Sequence, residues 1–133
     1  MPLKTKPFSS RTEVETTSDI QSVQFDGDGL VVSIAKTKLP SGKVAGLVVT
    51  FSGVRGFRFL DEADLTRYWT SSGFARGFHV LRVEEGGWAT EEENLEGYSL
   101  SKAEWLVVTG NGCLNVFTQD APSYVEAELE FEA

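Results

Sequence analysis

The sequence predicts a mostly β domain of the α+β class: an antiparallel meander sheet or flattened barrel of about eight strands, with one main helix packed on it. Two patterns lead to this prediction. Short apolar runs alternate with polar residues at a period of two. Clusters of Gly, Asp, Asn and Pro separate these runs, as is typical of tight turns. Residues 1–18 are polar and include two prolines, so we expect a mobile N-terminal arm followed by a single domain over residues 19–133.

The first half of the domain is expected to be a meander. Asp26-Gly27-Asp28-Gly29 supplies the positive φ angles of a hairpin turn, and Pro40-Ser41-Gly42 marks the next reversal. Four strands are predicted here: Ile20–Phe25, Leu30–Lys36, Val44–Ser52 and Val54–Phe59.

One segment has helical spacing. Asp61 is a suitable N-cap for a helix over Glu62–Trp69. Leu65, Tyr68 and Trp69 then form one apolar stripe that would pack on the sheet.

The second half returns to strands. Gly110-Asn111-Gly112 predicts a hairpin between Ala103–Thr109 and Cys113–Thr118. Phe78–Glu84 is apolar on both faces and predicts a further strand, and Glu91–Glu96 an exposed acidic loop or helical turn.

The last strand, Val125–Phe131, alternates without interruption. The expectation is that its apolar set lies on the core while its glutamates form an acidic ladder in water. The apolar set is Val125, Ala127, Leu129 and Phe131, and the ladder is Glu126, Glu128, Glu130 and Glu132.

Charge is distributed unevenly along the chain. Residues 1–83 carry a net charge of +3, whereas residues 84–133 carry −11, with Lys102 as their only base, giving −8 in total. Such a segregated acidic segment attracts a basic partner and repels nucleic acid. Binding of nucleic acid is therefore not expected.

Composition also indicates the compartment. Cys113 is the only cysteine, so the fold does not depend on an intramolecular disulfide. The chain begins without the apolar stretch of a signal peptide and has no apolar run of about 20 residues. We expect a cytoplasmic protein that does not associate with membranes.

Catalytic and metal-binding patterns are weak. His79 is the only histidine, and a dyad with Cys113 has no motif to support it. Asp26-Gly27-Asp28-Gly29 lacks the further ligands of a calcium loop, and Gly53-Val54-Arg55-Gly56 is not followed by the Lys-Ser/Thr of a phosphate-binding loop. The sequence therefore predicts no enzyme, no metal site and no cofactor.

Two stretches carry a resemblance. Thr50–Leu65 and Glu104–Leu114 resemble segments of small acidic bacterial proteins of unassigned activity. In size and charge the chain is similar to the immunity proteins that neutralise bacterial toxins. That resemblance implies a non-enzymatic inhibitor of a basic protein partner, and it implies no catalytic residues.

The leading hypothesis is accordingly an acidic binding protein of the immunity type. Trp88 follows a Gly-Gly pair beside the acidic segment and is predicted to be its apolar anchor. The charged contact residues are predicted to be Glu91, Glu92, Glu93, Glu96, Glu126, Glu128 and Glu130.

Two alternatives remain open. Dense Arg and aromatic residues favour a pocket for an anionic small molecule, which would be bound or transformed there. The second alternative is a structural or assembly subunit that is joined to its neighbours through an edge strand. The sequence does not specify the oligomeric state. For the first alternative, the predicted residues of the pocket are Arg55, Arg58, Tyr68 and His79.

Overall fold

Nine β-strands lie in the part of the chain that the computed structural model describes, residues 3–9, 14, 17–27, 29–61, 74, 77–89, 91 and 103–130. They are β1 (Lys4–Pro7), β2 (Asp19–Asp26), β3 (Gly29–Lys38), β4 (Val44–Phe51), β5 (Gly56–Asp61), β6 (Val80–Glu85), β7 (Glu104–Val108), β8 (Gly112–Phe117) and β9 (Ser123–Leu129).

The strands form two antiparallel sheets. The five-stranded sheet has the order β1-β6-β7-β8-β5, and the four-stranded sheet the order β2-β3-β4-β9. The mostly β prediction is confirmed, but the described strands do not close into a barrel. The predicted helix over Glu62–Trp69 falls outside the described residues, and the only helical residues within them are Trp88, Ala89 and Glu91.

The inner faces of the two sheets pack against each other. Val32, Ile34 and Val49 of the four-stranded sheet share one fully buried cluster with Val107 and Leu114 of the five-stranded sheet. The period-two pattern thus places one set of side chains from each strand between the sheets.

The five-stranded sheet is also buried on its outer face. Leu81, Leu106 and Cys113 form a second cluster there, and Leu3 covers it with 2% of its surface exposed. Every residue of β7 and β8 is therefore buried, which explains why these strands are almost continuously apolar.

Two elements are placed differently from the prediction. The segment 1–18, expected to be a mobile arm, contributes β1, which pairs with β6 and is held by buried Leu3. The strand expected at Val54–Phe59 begins at Gly56 and pairs with β8, so it leaves the meander for the other sheet. Local periodicity does not specify which sheet a strand joins.

The prediction of which β9 side chains face the core is wrong. Val125, expected in the core, is 61% exposed. The register instead pairs Glu126 with Leu47, whose side chain is in the core between the sheets. Strict alternation separates the two sets of side chains but does not say which set faces inward. The glutamates remain exposed because β9 is an edge strand.

Candidate binding surface

The edge of the four-stranded sheet carries three of the predicted contact residues. Glu126, Glu128 and Glu130 are exposed along and just after β9, which pairs with β4 alone among the described strands. Tyr124 and Val125 of the same strand are the exposed large hydrophobic residues beside them. We call these five residues the β9 edge. It combines carboxylates with accessible apolar surface, as protein-binding sites commonly do.

One carboxylate of the β9 edge is paired within the protein. Lys36 Nζ lies 3.3 Å from Glu126 Oε1, although the Glu126 side chain remains 79% exposed. An open depression of about 370 Å³ lies beside this pair, and its lining includes Ala45 and Glu128. The inner side of β9 therefore already accommodates an alkyl-ammonium group.

The C-terminal end of the β9 edge is anchored across the domain. Gln21 Nε2 donates a hydrogen bond of 3.0 Å to the backbone carbonyl of Glu130. Gln21 is the residue skipped by the register shift between Ile20 and Ser22 in β2. The bulge thus turns its side chain away from the ordinary strand pattern and toward β9.

The outer face of the four-stranded sheet continues from the β9 edge and is uncharged on β3, β4 and β9 apart from Lys38 at the end of β3. Cross-strand pairing places Ser33, Val48 and Val125 on this face. Further members on β3, β4 and β9 are equally neutral: Val31, Ala35, Gly46, Thr50, Ser123 and Ala127. The acids of β9 therefore border a neutral surface.

A second group of predicted residues converges on the outer face of the five-stranded sheet. Arg58 of β5 forms an ion pair with Glu91, and its Nε donates to Asn115 Oδ1 at 3.3 Å. The guanidinium also lies over Trp88, with 5.3 Å between Cζ and the ring centroid. Trp88 in turn stacks on Phe117 at a centroid distance of 4.2 Å. We call these side chains the arginine network. The sequence analysis had assigned Trp88 and Glu91 to the protein-binding hypothesis and Arg58 to the pocket hypothesis.

Buried Glu104 organises the arginine network from below. Its carboxylate accepts hydrogen bonds from the backbone N–H groups of Trp88 at 2.9 Å and Ala89 at 2.8 Å. It also accepts one from Asn115 Nδ2 at 2.8 Å. Glu104 thereby satisfies the first amides of the helical turn that includes Glu91, whose N–H donates to the Gly87 carbonyl.

Burial of Glu104 shifts the pKa of its carboxyl group. Glu104 is 2% exposed, and loss of water raises the pKa of its carboxyl above the ordinary value of 4.5. The hydrogen bonds from Ala89, Asn115 and Trp88, with the charge of Arg58, act in the opposite direction but do not reverse the shift.

The remaining predicted residues lie elsewhere or fall outside the described part of the chain. Arg55 is exposed in the segment that connects β4 to β5, and its backbone N–H donates a hydrogen bond to the Phe117 carbonyl. His79 is buried, with Nδ1 donating to the Val108 carbonyl at 2.7 Å, and burial lowers its pKa. Tyr68, Glu92, Glu93 and Glu96 fall outside the described residues.

Neither a cluster of metal-binding side chains nor a membrane-spanning helix is found in the described part of the chain. No group of three or more His, Cys, Asp or Glu side chains there could hold an ion. Within the same residues, no helix has the length and apolar character needed to cross a bilayer.

Sequence reasoning did not identify Glu104, Asn115 or Lys36 as important. Glu104 opens the otherwise apolar strand Glu104–Val108, and an acid in a fully buried strand was the available signal. The contacts of Lys36 had no signal, because they depend on a bulge between Ala35 and Thr37.

Comparisons with known proteins give no relative. No protein-family model, no curated protein and no solved structure matches the chain.

Proposed function

We propose that the chain is a non-enzymatic acidic binding protein of the immunity type, which inhibits a basic protein partner. The observation that carries this proposal is the β9 edge: exposed glutamates beside exposed Val125, on a strand at the margin of its sheet. Exposed carboxylates speed encounter with a basic surface, while the apolar residues provide the area that water leaves on binding.

The β9 edge has better support as the contact surface than the arginine network. Glu91 is already paired with Arg58, and the Trp88 ring already stacks on Phe117 and contacts the guanidinium. A partner that used these side chains would have to break existing contacts. Glu128 and Val125 offer their side chains to solvent.

The same contacts weigh against a pocket for an anionic ligand. Arg58 donates to Asn115 and pairs with Glu91, so its positive charge is largely compensated within the protein. Arg55 and His79 do not join it in the described contacts. Self-association through β9 is also disfavoured, because two copies would bring like charges together.

Charge reversal on β9 tests the proposal. We expect the double variant Glu126→Lys/Glu128→Lys, used as bait in lysate of the source cells, to lose a basic protein that the wild type retains at low salt. Affinity for the purified partner should fall on the order of tenfold or more, because attraction becomes repulsion. Binding of the wild type should weaken as salt rises.

The control changes the net charge by the same amount at another strand. Glu84→Lys/Glu85→Lys reverses two exposed glutamates at the end of β6. The control should retain the partner with nearly wild-type affinity. Equal losses in the two double variants would show that only the overall charge matters, and retention by both would exclude the β9 edge as the contact surface.

A further inference from the structure

The two outermost described strands of the four-stranded sheet differ in regularity. β9 pairs with β4 over seven successive residues, Ser123 to Leu129, without a register shift. β2, at the opposite margin, is interrupted by the bulge between Ile20 and Ser22. A regular edge strand presents backbone N–H and C=O groups that a further strand can bind, whereas a bulge disrupts that pattern.

The margins of the five-stranded sheet are less suited to a basic strand. β1 is four residues long, contains Pro7 and carries Lys4 and Lys6. β5 carries Arg58 between Phe57 and Phe59. A cationic segment added to β1 would meet like charge, and β5 offers a single acid, Asp61, at its end, so complementarity favours β9.

The side chains of β9 specify the pattern of such a segment. Glu126 and Glu128 lie on the side that register assigns to the core-facing residue Leu47, while Val125 and Ala127 lie on the neutral outer face. Side chains of paired strands meet on the same face. A matching segment therefore alternates Lys or Arg with apolar residues.

A contact between a lysine and a glutamate of β9 already exists within the protein. Lys36 reaches Glu126 from β3, two strands away from β9, and the adjoining depression extends along Glu128. A lysine on a strand added directly to β9 would approach from the opposite, nearer side. The acids would then discriminate between a basic segment and a second copy of β9, which carries the same glutamates.

We infer that β9 recognises its partner by strand addition: an extended segment in which Lys or Arg alternates with apolar residues pairs with the backbone of β9. This inference rests on the proposed function and names its binding mode. Backbone hydrogen bonds supply affinity, and the alternating side chains supply specificity.

Synthetic peptides test the binding mode directly. The probe is a capped peptide in which Lys and Val alternate over the length of β9, compared by calorimetry with a peptide of the same composition that carries its lysines in one block. We expect the alternating peptide to bind about tenfold more tightly, because only its charges and apolar groups separate onto two faces. The Glu126→Lys/Glu128→Lys variant should abolish this preference, and Glu84→Lys/Glu85→Lys should preserve it.

Backbone methylation separates strand addition from simple charge attraction. Successive N–H groups of a strand point to opposite sides, so only alternate ones can bind β9. Two further peptides carry N-methyl groups on every lysine or on every valine. Strand addition predicts that one of them loses binding while the other keeps it.

The outcomes distinguish the two proposals. Equal binding of the two methylated peptides, or of the alternating and block peptides, overturns strand addition. Absence of binding by the alternating peptide overturns it as well. Neither result bears on the proposed function, which is tested by how the intact partner responds to charge reversal on β9 compared with charge reversal on β6.

Discussion

Replacement of Glu104 by alanine is expected to lower the free energy of unfolding by about 3 kcal/mol or more. The carboxylate accepts hydrogen bonds from Asn115 and from the backbone of Trp88 and Ala89. Each hydrogen bond to a charged group contributes about 1.5–3 kcal/mol, and the truncation also leaves a cavity in a buried layer. The helical turn that carries Glu91 loses its acceptor in the same step.

Urea denaturation measures this effect. The matched control is Glu84→Ala, which removes the same side chain from an exposed position and should change stability by less than about 0.5 kcal/mol. Glu104→Gln preserves the size of the side chain but introduces a donor among three donors, so its stability should lie between those of alanine and wild type. A loss for Glu104→Ala no greater than that for Glu84→Ala would contradict the role assigned to the buried carboxylate.

The pH dependence follows from the same burial. The pKa of Glu104 is raised in the folded state, so this state retains a proton that the unfolded chain has already lost. The resulting stabilisation is complete below the unfolded pKa and is lost as pH rises through the folded pKa. The stability difference between wild type and Glu104→Gln should therefore narrow as pH rises above about 4.5. A difference that widens over this range would mean that the hydrogen bonds outweigh desolvation.

Substitution of Gly46 by alanine is the second large effect, with an expected loss of about 1–3 kcal/mol. A Cβ atom at Gly46 would lie 2.6 Å from the backbone oxygen of Ile34 and 2.5 Å from Leu129 Cδ1. Leu129 can rotate, but the oxygen belongs to β3 and can move only with its strand. The substitution therefore separates β4 from its neighbours at the position where β9 pairs with it.

Gly29→Ala is the matched control. Its Cβ would meet nothing closer than 3.5 Å, the backbone oxygen of Asp26, so ordinary contact is preserved. Urea denaturation should show little change or a small gain, because alanine restricts the unfolded chain. If Gly46→Ala is as stable as Gly29→Ala, the close approach of β3, β4 and β9 is not a constraint on the fold.

Periodicity and turn residues predicted most of the strands. The hairpin around Gly110-Asn111-Gly112 and the meander of β2, β3 and β4 follow from local patterns, because turn geometry and alternation are encoded within a few residues. The partner of β5 and the inward face of β9 depend on contacts between distant segments. Local patterns do not contain that information.

The candidate site was predicted in the same uneven way. Arg58, Trp88 and Glu91 were identified separately from charge and aromatic character, but their convergence depends on Glu104, Asn115 and the pairing of β5 with β8. The exposure of Glu126 and Glu128 was correct, although the reason was not. The side chains of these glutamates lie on the same face as that of Leu47 and remain accessible because β9 is at the edge of its sheet.

The central claim is that β9 is the element that contacts a basic partner, and amide hydrogen exchange of the complex tests it most directly. Exchange is compared for the wild type alone and with the partner that it captures at low salt. The account predicts that slowed exchange concentrates in Ser123–Leu129 and that the Glu126→Lys/Glu128→Lys variant does not show it. Slowed exchange confined to the segment from Gly86 to Glu91, with β9 unchanged, would contradict the claim and assign recognition to the arginine network.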